Sequence, residues 1–286
     1  MPKTAFRAKM DNLMQDSNNW LLKGAEPFFD YEDKVETSPA KTALLFLHGF
    51  SSSPQEIKGI AKYFAELGYG VSLPLLPGHG THPKDLKDQR WMDWYLTAEN
   101  SLKKLLGAGY EKVVIVGSSV GTNLSLLLSF QYQDKIKAQI WITPALRLRR
   151  ETFLRFGTFI VHRFVPFWNY KSKRPIDEFN TVADRSVFED RVAYPISPFQ
   201  AVEEVYHINE FTRRSLYRNQ TPTLVLLGKK DRVIHGAVKK MLQEEIRPEL
   251  LEIREFENSK HLLAVDYDKE EVRTVIRDYL DKINQK

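Results

Sequence analysis

Cysteine is absent from the 286-residue chain, which excludes a disulfide framework, a thiolate metal site and a cysteine nucleophile. Long apolar runs are missing too. No uncharged apolar stretch reaches the roughly 18 residues that a membrane-spanning helix needs. Residues 1–20 interrupt every apolar pair with charged or polar side chains, so they lack the apolar core of a secretory signal. Internal repeats and low-complexity tracts are also wanting. The expectation from these absences is a soluble cytoplasmic protein.

What is present is ordinary in bulk and uneven in detail. Hydrophobic residues make up 42% and charged residues 28%, the balance of a globular domain. The net charge of +5 is concentrated in one place. Residues 147–174 carry Arg147, Arg149, Arg150, Arg155, Arg163, Lys171, Lys173 and Arg174 against Glu151 alone, so the remainder of the chain is slightly acidic. A basic patch invites a nucleic-acid reading. Here it is interleaved with Phe153, Phe156, Phe159, Phe164, Phe167, Trp168 and Tyr170 and carries no nucleic-acid-binding motif, so no nucleic-acid partner is expected.

Strand-like and helix-like patterns alternate along the chain. Thr42 to Leu47 reads as a strand buried on both faces. Ser53-Pro54-Gln55-Glu56 then reads as a helix start, with Ser53 as N-cap and Glu56 closing a capping box. Strands follow at Gly70–Leu76, Val113–Val116, Gln139–Thr143, Thr223–Leu227 and Leu251–Phe256. Helical spacing appears around Trp91–Leu105, Leu124–Phe130, Ala237–Ile246 and Val272–Ile283. Repeated strand-then-helix units predict an α/β fold, a mostly parallel sheet with helices on both faces. From Leu146 to Asn219 the pattern is aromatic, charged and broken by proline, with no clean strand. That block predicts an insertion: 1–145 and 220–286 form the core, and 146–219 forms a cap over the sheet's carboxyl edge, where ligands sit in such folds. Phe6, Met10, Leu13 and Met14 keep helical spacing near the N-terminus.

The stretch KVVIVGSSVGTNLSLLL carries the chemistry. Gly117-x-Ser119-x-Gly121 is a weak signal by itself, and a plain Gly-Ser turn capping a helix is the alternative. Its setting between a buried strand and a helix gives it meaning. A serine held above the sheet needs a strained backbone, and side chains at the flanking positions would collide with the neighbouring strand and helix. A nucleophilic serine also needs a base, an acid that orients the base, and donors for the oxyanion. Asp231, four residues beyond Leu227, and His261, five beyond Phe256, both follow strands in the required order. Glu257 and Asp266 are rival acids and His235 a rival base, but none occupies the corresponding strand end. The backbone N–H of Val120 and of Phe50, in His48-Gly49-Phe50 after the first central strand, are the candidate oxyanion donors. His48 reads as a structural buried histidine. His79 and His82, three apart, have no third ligand in a suitable pattern, so no metal site is expected.

Together, His48-Gly49-Phe50 followed by Ser-Ser-Ser-Pro, the Leu76-Pro77-Gly78-His79-Gly80 loop, the Ser119 turn, Asp231 and Ser259-Lys260-His261 resemble the α/β-hydrolase fold. Within it the chain resembles bacterial carboxylesterases and monoacylglycerol lipases, from about residue 24 onward. The resemblance implies an eight-stranded, mostly parallel sheet, a helical cap, no cofactor, and hydrolysis of a small-molecule ester or lipid through an acyl-enzyme on Ser119. A thioesterase, an amide or peptide hydrolase, and a catalytically silent binding module remain alternatives. The basic, aromatic stretch 147–174 departs from the family pattern. It suits an acyl-chain pocket, a peripheral contact with an anionic lipid surface, or simply the cap's own packing. The oligomeric state is left open.

Overall fold

Along Thr42–Leu47 successive side chains point to opposite faces of the sheet, and both sets are buried: Leu44 and Phe46 on one side, Ala43, Leu45 and Leu47 on the other. A strand apolar on both faces requires cover on both, and helices supply it. The structure, a computed structural model, describes residues 21–149, 151, 172–173, 181–187 and 191–285.

In chain order the elements are β1 (Phe28–Asp30), β2 (Thr42–Leu47), α1 (Gln55–Glu66), β3 (Gly70–Leu73), α2 (Trp91–Gly107), β4 (Lys112–Ser118), α3 (Val120–Gln131) and β5 (Ile136–Ile142). There follow β6 (Ser172–Lys173), β7 (Ile196–Ser197), α4 (Phe199–Arg213), β8 (Thr223–Gly228), α5 (Val238–Glu245), β9 (Leu251–Phe256) and α6 (Lys269–Asn284). The main sheet has the order β1-β3-β2-β4-β5-β8-β9 and is parallel except for β1, which runs antiparallel to β3 at one edge. The alternation read from sequence is therefore borne out. The strand count is not: the sheet holds seven strands among the described residues, where the resemblance implies eight.

Helices α1 and α6 cover one face through Ile57, Ile60, Phe64, Val272, Ile276 and Leu280. The other face lies under α2, α3 and α4, with α5 packed over β5 and β8 through Val238 and Leu242. Because β5 and β8 are parallel neighbours, residues 143–222 leave and re-enter the sheet between adjacent strands. They leave at the carboxyl end of β5, the edge where β4 and β8 also finish, and return to the opposite edge at the start of β8.

Two sequence expectations fail for the same reason, a partner far away in the chain. Ser53 does not cap α1, which has no side-chain cap; the Ser53 hydroxyl donates to the Val192 carbonyl at 2.8 Å. Glu56 does not close a capping box either, since its carboxylate accepts from Arg191 Nε at 2.6 Å. The stretch read as lacking strands contains the short antiparallel pair β6–β7 and the 15-residue α4. That helix packs against α3 and α2. Asn123 and Asn209 join α3 to α4 by a buried amide hydrogen bond of 2.7 Å, and Glu204 of α4 accepts from the Trp91 N–H at the start of α2. The N-terminal pattern around Phe6–Met14 and most of the basic stretch 147–174 lie outside the described residues. Among the described residues no helix is long and apolar enough to cross a membrane.

Candidate active site

Ser119 stands at the turn between β4 and α3 with φ +52° and ψ −115°. Non-glycine residues adopt such a conformation at a cost of roughly 1–3 kcal/mol, so the surrounding chain must enforce it. It does so by close approach. A Cβ at Gly117 would lie 2.6 Å from the backbone of Gly121 and Thr122, and one at Gly121 would run into the Leu47 carbonyl of β2. Glycine on both sides therefore lets strand and helix meet at so sharp a bend. The Ser119 N–H donates to Ile142 O at 2.9 Å, which ties the turn to β5. Ser119 is half-buried and stands where β4 ends at the sheet's carboxyl edge.

Asp231 and His261 arrive from the ends of β8 and β9. His261 Nδ1 lies 2.8 Å from Asp231 Oδ2, and His261 Nε2 lies 3.0 Å from Ser119 Oγ. A carboxylate only accepts hydrogen bonds, so the imidazole proton sits on Nδ1 and the Nε2 lone pair faces the serine hydroxyl. Both side chains are almost completely buried. Asp231 is oriented in turn by the N–H groups of Val233 (2.7 Å) and Ile234 (3.2 Å) on its other oxygen. The three side chains that sequence order singled out are thus within hydrogen-bonding reach of one another.

The rivals are engaged elsewhere. Glu257 is exposed and pairs with Lys229. His235 Nδ1 accepts from the Ala237 N–H at 3.1 Å ahead of α5. His82 Nδ1 accepts from the Lys84 N–H. Asp266 is fully buried, and four backbone N–H groups donate to it, from Ala183, Asp184, Lys260 and Tyr267, at 2.8–2.9 Å. Its place is under the loop that carries His261. Asp268 does similar work one turn away: it accepts from the N–H groups of Asn258 and Ser259, both at 2.9 Å. Burial alone would raise its pKa, but the bonds from Asn258 and Ser259 outweigh that and leave it below the ordinary carboxylate value. Thr143, at φ +45°, donates its hydroxyl to the His261 carbonyl at 2.9 Å. None of these supports was read from sequence. The available signal was a pair of aspartates, Asp266 and Asp268, following an apolar run just after His261.

On the opposite side of Ser119 runs the loop His48–Ser53. Gly49 abuts the Ser119 turn closely: a Cβ there would lie 3.1 Å from Ser119 Cβ. His48 is fully buried, as its sequence position suggests. Its Nε2 accepts from the Leu76 N–H at 3.0 Å, so its Nδ1 carries the proton and donates to the Gly49 carbonyl at 2.9 Å. Burial pushes the His48 imidazole down to about 4. His79 is pushed down to about 3 by burial, with His48 beside it adding to the effect. Both rings are therefore neutral at ordinary pH. Val120, the other candidate donor, is the first residue of α3, where the helix N-terminus favours negative charge.

A family model described as serine aminopeptidase, S33, matches residues 38–268. The chain belongs to this family. The S33 match spans β2 to the end of the His261 loop and so includes Ser119, Asp231 and His261. Curated relatives include a carboxylesterase of Bacillus subtilis, 22% identical over 85% of this chain and 93% of the relative. A thermostable monoacylglycerol lipase of Bacillus sp. strain H-257 is 27% identical over 87% of this chain and 91% of the relative. Among solved structures, one reported with the metagenome-derived lipolytic enzymes LipS and LipT superposes with a TM-score of 0.79. It is 24% identical and covers 92% of this chain and 99% of that one. The fold is that of the α/β-hydrolases, and the chain resembles bacterial carboxylesterases and monoacylglycerol lipases.

Proposed function

We propose that the protein is a serine hydrolase that cleaves carboxylic esters through an acyl-enzyme on Ser119. The observation that carries this reading is His261, whose two ring nitrogens bond Asp231 on one side and Ser119 on the other. In the proposed reaction His261 Nε2 takes the proton of Ser119 as Oγ bonds to the ester carbonyl carbon. The tetrahedral intermediate places its oxyanion toward the backbone N–H groups of Phe50 and Val120. Removing one such donor typically costs about 3 kcal/mol of transition-state stabilisation. His261 then protonates the departing alkoxide as the carbon–oxygen bond breaks, which releases the alcohol. Water, deprotonated by the same nitrogen, cleaves the acyl-enzyme to the free acid and restores Ser119. Asp231 holds the imidazole in the required tautomer and stabilises it when charged.

The names of the relatives favour esters, and the monoacylglycerol lipase among them favours a glycerol ester of a fatty acid as the substrate class. The family description supports a second reading, an amide or aminoacyl substrate. Residues 146–219 act in the proposal as the cap that bounds the acyl site, with their basic, aromatic part meeting lipid.

The test is turnover of a p-nitrophenyl ester series of acetyl to dodecanoyl chain length beside aminoacyl p-nitroanilides. Wild-type protein hydrolyses the esters and is labelled by a fluorophosphonate at Ser119. Ser119→Ala loses both, with kcat lower by about 10⁵-fold or more. Full ester turnover by Ser119→Ala would remove the assignment, and preference for the anilides would move it to the second reading.

A further inference from the structure

The loop that carries the Phe50 N–H is held in place by segments far from it in sequence. Ser51, directly after Phe50, has φ +54°, a backbone state that needs outside support in a residue with a side chain. Its carbonyl accepts from the Tyr194 N–H at 2.8 Å. Beside that bond, Ser53 donates to the Val192 carbonyl at 2.8 Å, Val192 N–H donates to Gln55 Oε1 at 2.6 Å, and Arg191 donates to Glu56. Residues 191–194 therefore lie along residues 51–56 as a strap. They belong to the block 146–219.

The same strap reaches a second loop. The Tyr194 hydroxyl accepts from the Thr81 N–H at 2.8 Å and donates to the Gly78 carbonyl at 3.0 Å. Burial pushes this phenol up to about 12, so it remains a donor at any working pH. The second loop turns His79, 2% exposed, toward the first. Its ring stacks on Tyr194 with an interplanar angle of 6° and a centroid separation of 6.5 Å. It makes edge contacts with His48 (5.1 Å), Phe50 (6.0 Å) and Trp94 (5.7 Å). Nδ1 donates to the Pro77 carbonyl at 3.1 Å, while the buried Nε2 has no partner among the described residues. A ring nitrogen left unbonded in the interior is costly. The position nonetheless holds a flat ring between Phe50 and Tyr194 that also ties down Pro77.

We propose that Tyr194 is a positioning residue for the oxyanion hole, acting through its bond to Ser51 and through the His79 ring on Phe50. This rests on the ester-hydrolase reading above and assigns the 146–219 block a part in the chemistry. A donor misplaced by about 1 Å costs on the order of 100-fold in rate, and the effect falls on transition-state stabilisation rather than on substrate binding.

The experiment compares wild type, Tyr194→Phe and Tyr194→Ala for ester kcat and KM, and for inhibition by an alkyl boronic acid that forms a tetrahedral adduct with serine. Tyr194→Ala should lower kcat by roughly 100-fold with KM within threefold, and weaken the boronic acid by a similar factor. Tyr194→Phe, which keeps the ring and loses only the hydroxyl bonds to Thr81 and Gly78, should lose roughly 5- to 10-fold in both. It carries the test by itself if the alanine variant does not fold. A change in thermal midpoint with kcat and boronic acid affinity within twofold of wild type would reduce Tyr194 to a structural role and overturn the proposal. So would a rise in KM at constant kcat. If wild type neither hydrolyses esters nor is labelled at Ser119, the underlying reading fails, and this one with it.

Discussion

Ser119 stands between two loops that are held still by different physics. On one side, the His48–Ser53 loop rests on a cluster of buried rings, His48, His79, Trp94 and Tyr194, with neutral imidazoles at its centre. On the other, the His261 loop hangs from two carboxylates, Asp266 and Asp268, that gather backbone N–H groups. Ring packing is short-ranged and fixes the shape of a backbone through contact. Hydrogen bonds to a buried carboxylate are directional and fix individual peptide groups. The loop that carries Phe50 is thus shaped from beneath, and the loop that carries His261 is pinned peptide by peptide.

Removing a pin should have the largest effect. Asp266→Ala takes a fully buried acceptor from four backbone N–H groups in part-buried bonds, which predicts a loss of stability on the order of 3 kcal/mol. Urea unfolding measures it, and the same variant should lose ester turnover because Lys260, next to His261, is released. A variant within 0.5 kcal/mol of wild type, on the order of a surface substitution, would show that the carboxylate carries little and that the two loops are supported alike.

Acid should separate the two sides more gently. His48 and His79 are lowered in the folded state to about 4 and about 3 from an ordinary 6.5. Between those values the unfolded chain binds protons that the folded one does not. Stability is therefore fully present above pH 6.5 and falls as pH drops toward 4, by on the order of 1 kcal/mol per pH unit for each histidine. Asp268 is lowered below its ordinary 3.8, so its contribution is present above that value and is lost only at lower pH. Thermal midpoints measured from pH 7 to pH 3 should fall first on account of the ring cluster. His79→Phe should flatten the upper part of that curve; an unchanged slope would remove His79 from the account.

The smallest effect should come from Lys229→Ala. Its partner Glu257 is exposed on the same loop as His261, and such a surface pair is screened by water and salt. Its thermal midpoint and kcat should match wild type. A clear loss would mean that surface charge, and not the buried carboxylates, sets the loop.

How much of this was legible depended on where each residue's partner lies. Gly117-x-Ser119-x-Gly121 was readable because its residues are contiguous, although only Gly117 is demanded by adjacent chain and Gly121 is demanded by Leu47 of β2. Asp231 and His261 were readable by their distance past strand ends, a matter of local counting. Ser53 and Glu56 misled because the matching groups, Val192 and Arg191, lie more than 130 residues away in sequence. Helix α4 escaped notice because Glu204 and Asn209 sit on its buried side and spoil the apolar period. Both find a partner on another helix, Glu204 at the Trp91 N–H and the Asn209 Oδ1 at the Asn123 amide. The three-residue edge strand β1 is too short to carry a pattern.

By itself the sequence determined the alternation of strand and helix, the glycine-flanked serine, and the order in which Asp231 and His261 follow it. Those features are carried by periodicity and by the spacing of residues along the chain. Only the tertiary structure decided that Asp266 serves as an anchor, and that Tyr194 and His79 shape the loop carrying Phe50. Burial and hydrogen-bond pairing between distant segments decide such roles, and neither can be counted along a chain.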